Sequence, residues 1–227
     1  MLYYLLQSDG FAEFLALFGA VVLVLLGISL HEFSHALSAS ALGDQTARRL
    51  GRVSLNPAVH LDPFGTVLLL IAGFGWGKPT PVNPMALRNG RMGMATVAAC
   101  GPISNLVIAA ALAAPIRFGV VEWHAPFSST LGWTSGDYVG LFLSFSILLN
   151  VILALFNLLP IAPLDGFKVA VGILPIDLAR SFVKTEQYGM PILMILLFMP
   201  YLIGVSPFQE ILLPAVDRIA GILTGGQ

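Results

Sequence analysis

Long runs of apolar residues without a charged side chain constrain this chain more than any other feature. A helix needs about 20 such residues to cross the hydrocarbon core of a bilayer. Four runs reach or approach that length, at 14–30, 92–116, 138–164 and 187–209. A fifth run, 63–77, is shorter and rich in glycine, which favours a re-entrant element over a full span. The sequence therefore predicts an α-helical polytopic membrane protein with about four long transmembrane helices and one short re-entrant element.

The composition excludes several classes of protein. Only 10% of the residues are charged and 57% are hydrophobic, whereas a soluble domain carries about 25% charged residues. The 11 basic residues are balanced by 12 acidic ones, so no basic surface for nucleic acid is expected. The single cysteine, Cys100, excludes an intrachain disulfide and a cysteine-based zinc finger. We therefore expect the lipid bilayer as a partner and no nucleic acid.

The basic residues predict how the chain lies in the membrane, because cytoplasmic loops are enriched in Lys and Arg. Nine of the eleven lie within 48–91 and 168–184, and the other two are Arg117 and Arg218. We expect the two basic segments on the cytoplasmic side and the N-terminus outside, provided that 63–77 does not cross. The protein is then a multi-pass protein of the cell inner (plasma) membrane.

The chain shows no internal repeat and no polar insertion long enough for a soluble domain. We expect one membrane domain over 1–227, with a catalytic core at about 14–184 and C-terminal helices within 187–223. The first ten residues lack a basic region and no A-x-A site follows the first apolar run, so we expect the first helix to be retained.

A metal-binding pattern closes the first apolar run. His31 and His35 flank Glu32 in the sequence H-E-F-S-H. Residues four apart lie on one face of a helix, so both imidazoles can meet one metal ion, and Glu32 projects close enough to take a proton from a metal-activated water. Ionisable side chains at the end of a membrane helix are costly and indicate function. The alternative is that they only mark the point where the helix leaves the membrane.

A catalytic zinc ion needs a third protein ligand. The candidates within reach of the membrane are Asp165, His60, Asp62, and Glu122 with His124. The last pair falls on the opposite side by the distribution of basic residues. Asp165 is favoured because it follows the third long run, which returns to the side of His31. Pro160 and Pro163 should end that helix near Leu159 and force an extended, strand-like path that points a side chain inward.

Together these motifs resemble the site-2 protease family of intramembrane zinc metalloproteases. The H-E-F-S-H motif is followed by an N-L-L-P-I-A-P-L-D-G segment that ends in Asp165 and Gly166. Between them lie three further matching segments, 51–63, 75–84 and 100–105. The resemblance covers roughly residues 20–184 and is closest to the compact prokaryotic members. We expect neither a PDZ nor a CBS domain in this length.

The resemblance implies a role for each matching residue. It makes His31, His35 and Asp165 the ligands of one Zn²⁺ per chain and Glu32 the catalytic carboxylate. It places Asn157 near the active site, where it would hold the substrate or the oxyanion. Interhelical packing is the alternative role for Asn157.

Other positions have weaker assignments. His60 could contact the substrate or support the metal site, and the alternative is a loop histidine bound by Asp62 or the backbone. The alternating segment 46–55 predicts a small interfacial β-hairpin that could pair with an unwound substrate. Asn105 and Asn150 are expected to serve helix packing.

The sequence thus predicts an enzyme that hydrolyses peptide bonds in or near the transmembrane segment of membrane proteins, in regulated intramembrane proteolysis. The expected substrate is a membrane protein with a single transmembrane helix. A homo-oligomer is left open. The alternative function is a non-proteolytic metal-binding membrane scaffold or transporter.

Overall fold

The computed structural model describes residues 10–72, 75–126, 132–204 and 206–226. This part of the chain is helical. The helices are α1 Phe11–Ala41, α2 Thr46–Arg49, α3 Pro63–Ala72, α4 Gly90–Arg117, α5 Ser135–Asn157, α6 Asp165–Ile173, α7 Ile176–Val183, α8 Glu186–Ile203 and α9 Pro207–Thr224. Two short 3₁₀ helices, Pro57–Val59 and Pro84–Ala86, interrupt the connections.

Three of these helices, α1, α4 and α5, are long and apolar enough to cross a membrane. They pack against one another and form the centre of the fold. Large apolar side chains recur at helical spacing on the outer surface of α1: Phe11, Leu15, Phe18, Val22, Leu26 and Leu30. The interior is mainly apolar but also holds polar side chains, among them His31, Asn105 and Asn150. Long apolar helices that expose large apolar side chains indicate a membrane protein.

The expected fourth transmembrane helix is not confirmed among the described residues. Residues 187–203 of this run belong to α8, which has 18 residues and contains Pro191 and Pro200. A helix of that length extends about 27 Å, slightly less than the hydrocarbon core. The helix that follows, α9, packs against α4 and α5, where Val216 and Ala220 join one apolar cluster with Ile147.

The expected β-hairpin over 46–55 is not confirmed either. Its first residues form the single turn α2, because the carboxylate of Asp44 accepts hydrogen bonds from the backbone N–H (2.9 Å) and the hydroxyl (2.6 Å) of Thr46. The other oxygen of Asp44 accepts from the N–H of Asn83 at 2.7 Å. Burial acts to raise the pKa of Asp44, but these hydrogen bonds outweigh it and lower the pKa. Asp44 therefore stabilises this connection above its ordinary pKa and loses that effect as the pH falls.

The short apolar segment 63–77 turns back on itself. It begins as α3, residues 73–74 lie outside the described part, and Gly77 forms an antiparallel bridge with Leu61, the residue two before α3. The return is tight, since a Cβ on Gly65 would lie 2.2 Å from the carbonyl oxygen of Trp76. The two ends of the segment lie side by side, which is the geometry expected of a re-entrant element.

Candidate metal centre

Three buried side chains from two helices converge at one point. The Nε2 atoms of His31 and His35 each lie 3.0 Å from Oδ2 of Asp165. The two histidines are one turn apart on α1, and Asp165 is the first residue of α6. Their ligand atoms lie within 4.8 Å of one another, which is close enough to hold one metal ion.

The opposite edge of each imidazole ring is held by an acceptor. Nδ1 of His35 lies 2.8 Å from the backbone oxygen of Val97, and Nδ1 of His31 lies 2.7 Å from Oδ1 of Asn105. A carbonyl oxygen can only accept, so each Nδ1 carries the proton and donates it. Each Nε2 then presents its lone pair to Asp165, as a metal ligand does.

A chain of hydrogen bonds fixes the orientation of Asn105. The amide nitrogen of Asn150 donates to the backbone oxygen of Ser146 at 3.0 Å, so its Oδ1 is left to accept from the amide nitrogen of Asn105 at 3.2 Å. The amide nitrogen of Asn105 also lies 3.3 Å from the backbone oxygen of Gly27. The amide oxygen of Asn105 must therefore face His31. The backbone of α5 thus sets the tautomer of a histidine on α1.

The convergence of lone pairs calls for a cation. Two Nε2 lone pairs and a carboxylate oxygen repel one another at 3.0 Å unless a positive charge lies between them. Space is left beside them, since a Cβ on Gly101 would lie 2.4 Å from Nε2 of His35 and 2.6 Å from Nε2 of His31. Two histidines and one carboxylate, with a fourth position open, are the donor set of a catalytic zinc site. The three residues therefore fit zinc.

The connection from α5 to α6 brings Asp165 to this point. It runs through turns over 158–164, whereas the sequence predicted an extended path there. A close approach holds it, because a Cβ on Gly166 would lie 2.1 Å from the backbone oxygen of Leu158. The second carboxylate oxygen of Asp165 lies 3.5 Å from the ammonium group of Lys168, so only Oδ2 faces the histidines.

Glu32 follows His31 in the sequence but has a different partner. Its Oε2 accepts two hydrogen bonds of 2.8 Å from Thr80, one from the backbone N–H and one from the hydroxyl. Arg52 holds the same stretch of chain, since its guanidinium donates to the backbone oxygens of Val59, Lys78 and Pro79. Burial lowers the pKa of Arg52, and the charge of Glu32 partly opposes that effect.

Two sequence candidates lie elsewhere. His60 is fully buried, and its Nε2 lies 2.7 Å from the backbone oxygen of Ser54, so it serves the loop before α3. Asn157 ends α5 and donates to the backbone oxygen of Leu153 at 2.9 Å. Neither belongs to the cluster of three ligands among the described residues, and their contact with a substrate stays a prediction.

The sequence reasoning missed the parts of the site that orient the ligands. Asn105 and Asn150 were expected only to pack helices, yet Asn105 holds His31 directly. The roles of Gly101 and Thr80 were not anticipated. A signal was present for Asn105, because an amide in the middle of an apolar helix needs a polar partner.

Curated proteins resemble most of the chain. "Putative zinc metalloprotease YwhC" of Bacillus subtilis is 38% identical over 184 residues, which cover 79% of this chain and 80% of that protein. "Putative zinc metalloprotease Rip2" of Mycolicibacterium smegmatis is 32% identical over 196 residues, 81% of this chain and 70% of that protein. "Putative zinc metalloprotease Rip2" of Mycobacterium tuberculosis H37Rv is 30% identical over 200 residues, which cover 84% of this chain and 72% of that protein. No protein-family model matches, and no solved structure gives a significant match.

The space beside the imidazoles gives a first prediction. Gly101→Ala puts a methyl group where both Nε2 atoms need room, so we expect zinc affinity to fall at least tenfold. Zinc is measured by mass spectrometry after dialysis of the detergent-purified protein against buffered free zinc. The matched control is Gly221→Ala in α9, where nothing lies within 4 Å of the new methyl group. Equal zinc affinity in both variants would show that the close approach of α4 to the two imidazoles on α1 is not needed for zinc binding.

The orientation of His31 gives a second prediction. Asn105→Leu removes the acceptor for its Nδ1 proton, and we expect zinc binding to weaken by about 10- to 100-fold, as is usual for such outer partners. Asn105→Asp keeps an acceptor and should retain more of the affinity than Asn105→Leu. The same dialysis measures both. An unchanged affinity in Asn105→Leu contradicts the orienting role.

Proposed function

The chain belongs to the family of zinc metalloproteases represented by YwhC and Rip2, and from this we propose that it is an intramembrane metalloprotease of the site-2 protease type. One observation carries the proposal. Three buried side chains of the kind that bind zinc meet between α1, which can cross a membrane, and the start of α6. A carboxylate, Glu32, lies next to His31 on α1.

In this proposal His31, His35 and Asp165 hold one zinc ion. Zinc in such a site acts as a Lewis acid that activates water and polarises a carbonyl group. The protein supplies the fixed geometry, since Asn105 and Val97 lock the imidazoles in the required tautomer. The surrounding apolar helices keep bulk water from the buried ligands.

Glu32 is the general base and acid. Both hydrogen bonds from Thr80 end on its Oε2. Oε1 accepts no hydrogen bond from any other residue of the described part, so it is the oxygen that takes a proton from the attacking water. The same carboxyl group then gives the proton to the leaving amine as the peptide bond breaks.

The substrate in this proposal is a membrane protein with a single transmembrane helix. A peptide bond in a helix is shielded by its neighbours, so that helix must unwind before it reaches Glu32. We further propose, on the charge distribution alone, that the site opens toward the cytoplasm and that the N-terminus lies outside the plasma membrane.

The first test of this function is Glu32→Gln. The variant cannot accept a proton, so we expect cleavage to fall at least about 100-fold, while zinc content stays unchanged because Glu32 is not a ligand. Purified protein in detergent is mixed with a panel of single-span reporter proteins tagged at both ends, and fragments are identified by mass spectrometry. Full cleavage by Glu32→Gln would overturn the proposed role.

The controls separate the proposal from its alternative. Glu186→Gln makes the same charge change at an exposed glutamate at the start of α8 and should leave cleavage unchanged. A metal transporter would instead move zinc into vesicles that hold a fluorescent zinc indicator. If the wild type takes up zinc, His31→Ala abolishes that uptake and no reporter is cleaved, the protein is a transporter and the protease proposal is wrong.

The contact between Thr80 and Glu32 gives a further prediction. Thr80→Val keeps the shape of the side chain and the backbone N–H but removes the hydroxyl donor. We expect turnover to fall about tenfold, since a hydrogen bond to a charged group is worth about 1.5–3 kcal/mol. Thr80→Ser restores the donor and should restore the rate, with equal zinc content in all three proteins. A variant Thr80→Val that cleaves at the original rate contradicts a positioning role.

A further inference from the structure

A second group of metal-ligand side chains lies at the other end of α5. Glu122 and His124 precede this helix and Asp137 lies in its first turn. Their ligand atoms lie within 4.8 Å of one another. Asp165 follows the far end of the same helix, and 23 residues of α helix extend about 34 Å. The second group is therefore separate from the catalytic ligands.

The backbone around the second group is fixed. The N–H of His124 donates to the buried hydroxyl of Ser144 at 3.2 Å. The segment 122–124 packs closely against α5. A Cβ on Gly140 would be 2.4 Å from the backbone oxygen of Glu122 and 2.6 Å from the ring of His124. The approach of His124 to Asp137 is thus set by two elements of the fold.

The carboxylate of Asp137 is also oriented. Its Oδ2 accepts from the N–H (2.6 Å) and the hydroxyl (2.8 Å) of Thr134. This leaves Oδ1 directed at His124, at 3.0 Å from Nε2. A carboxylate held by backbone and hydroxyl donors on one oxygen, with the other oxygen facing an imidazole, is the arrangement that supports a metal ion.

The environment of one imidazole nitrogen, Nε2 of His124, supports a metal site most directly. Nε2 of His124 is buried from solvent and forms no hydrogen bond within the described part of the protein. Its close contact is Oδ1 of Asp137 at 3.0 Å, which is an ion pair only if the imidazole is protonated. A buried polar atom without a hydrogen bond is costly, and a metal ion shared with the two carboxylates removes that cost.

We propose that Glu122, His124 and Asp137 form a second zinc site, which ties the segment before α5 to the first turn of that helix. Imidazole and carboxylate are both ligands that Zn²⁺ uses in proteins. The site binds zinc more weakly than the catalytic one, because Glu122 is exposed whereas all three catalytic ligands are buried. The inference is independent of proteolytic activity.

The test counts zinc ions in the full-length protein. Detergent-purified protein is dialysed against a series of buffered free-zinc concentrations, and bound zinc is measured by mass spectrometry. Wild type is expected to bind two zinc ions per chain, Asp165→Ala one, His124→Ala one, and the double variant none. A single zinc ion in wild type that is lost in Asp165→Ala overturns the proposal.

A surface variant keeps the test sound if His124→Ala does not fold. Glu122→Gln changes an exposed side chain and should weaken the second zinc ion at least tenfold without changing the first. Glu186→Gln, which also neutralises an exposed glutamate, should change neither. Two zinc ions retained with full affinity in Glu122→Gln would overturn the proposed ligand set.

Discussion

The electrostatic problem of placing three lone-pair donors in an apolar bundle governs the structure around the site. His31, His35 and Asp165 are each less than 8% exposed, where an unpaired polar group costs several kcal/mol. The two histidines on α1 are held by partners on another helix, Asn105 and Val97 of α4, while Asp165 is paired with Lys168 of its own helix α6. The site can therefore form only when α1, α4 and α6 are packed together.

Small residues allow that packing. Gly27 on α1 faces the amide of Asn150 on α5, and Gly101 on α4 faces the two imidazoles. A side chain at either position would separate the helices and break the line from the backbone of α5 through Asn150 and Asn105 to His31. Glycine in these helices is thus required by interhelical contact, as is common in membranes.

The sequence predicted what depends on spacing within one element. His31 and His35 are four positions apart, so their convergence follows from helix geometry. Pro160 and Pro163 predicted that α5 would end close to Leu159, and it ends at Asn157. It could not predict that Asn105 orients His31, because that depends on the rotation of α4 against α1. The hairpin expected at 46–55 is not confirmed, because alternation over a few residues carries less weight than the hydrogen bonds that Thr46 donates to the carboxylate of Asp44.

The proposed metal ligands and the proposed general base differ in how deeply they are buried. The three ligands are buried, which strengthens their attraction for a cation. Glu32 is only half-buried and is held from the side by Thr80, in a stretch of chain fixed by Arg52. A base that must meet both water and an unwound peptide cannot be enclosed as the ligands are. The carboxylate lies at the border between the apolar bundle and the connection 75–84.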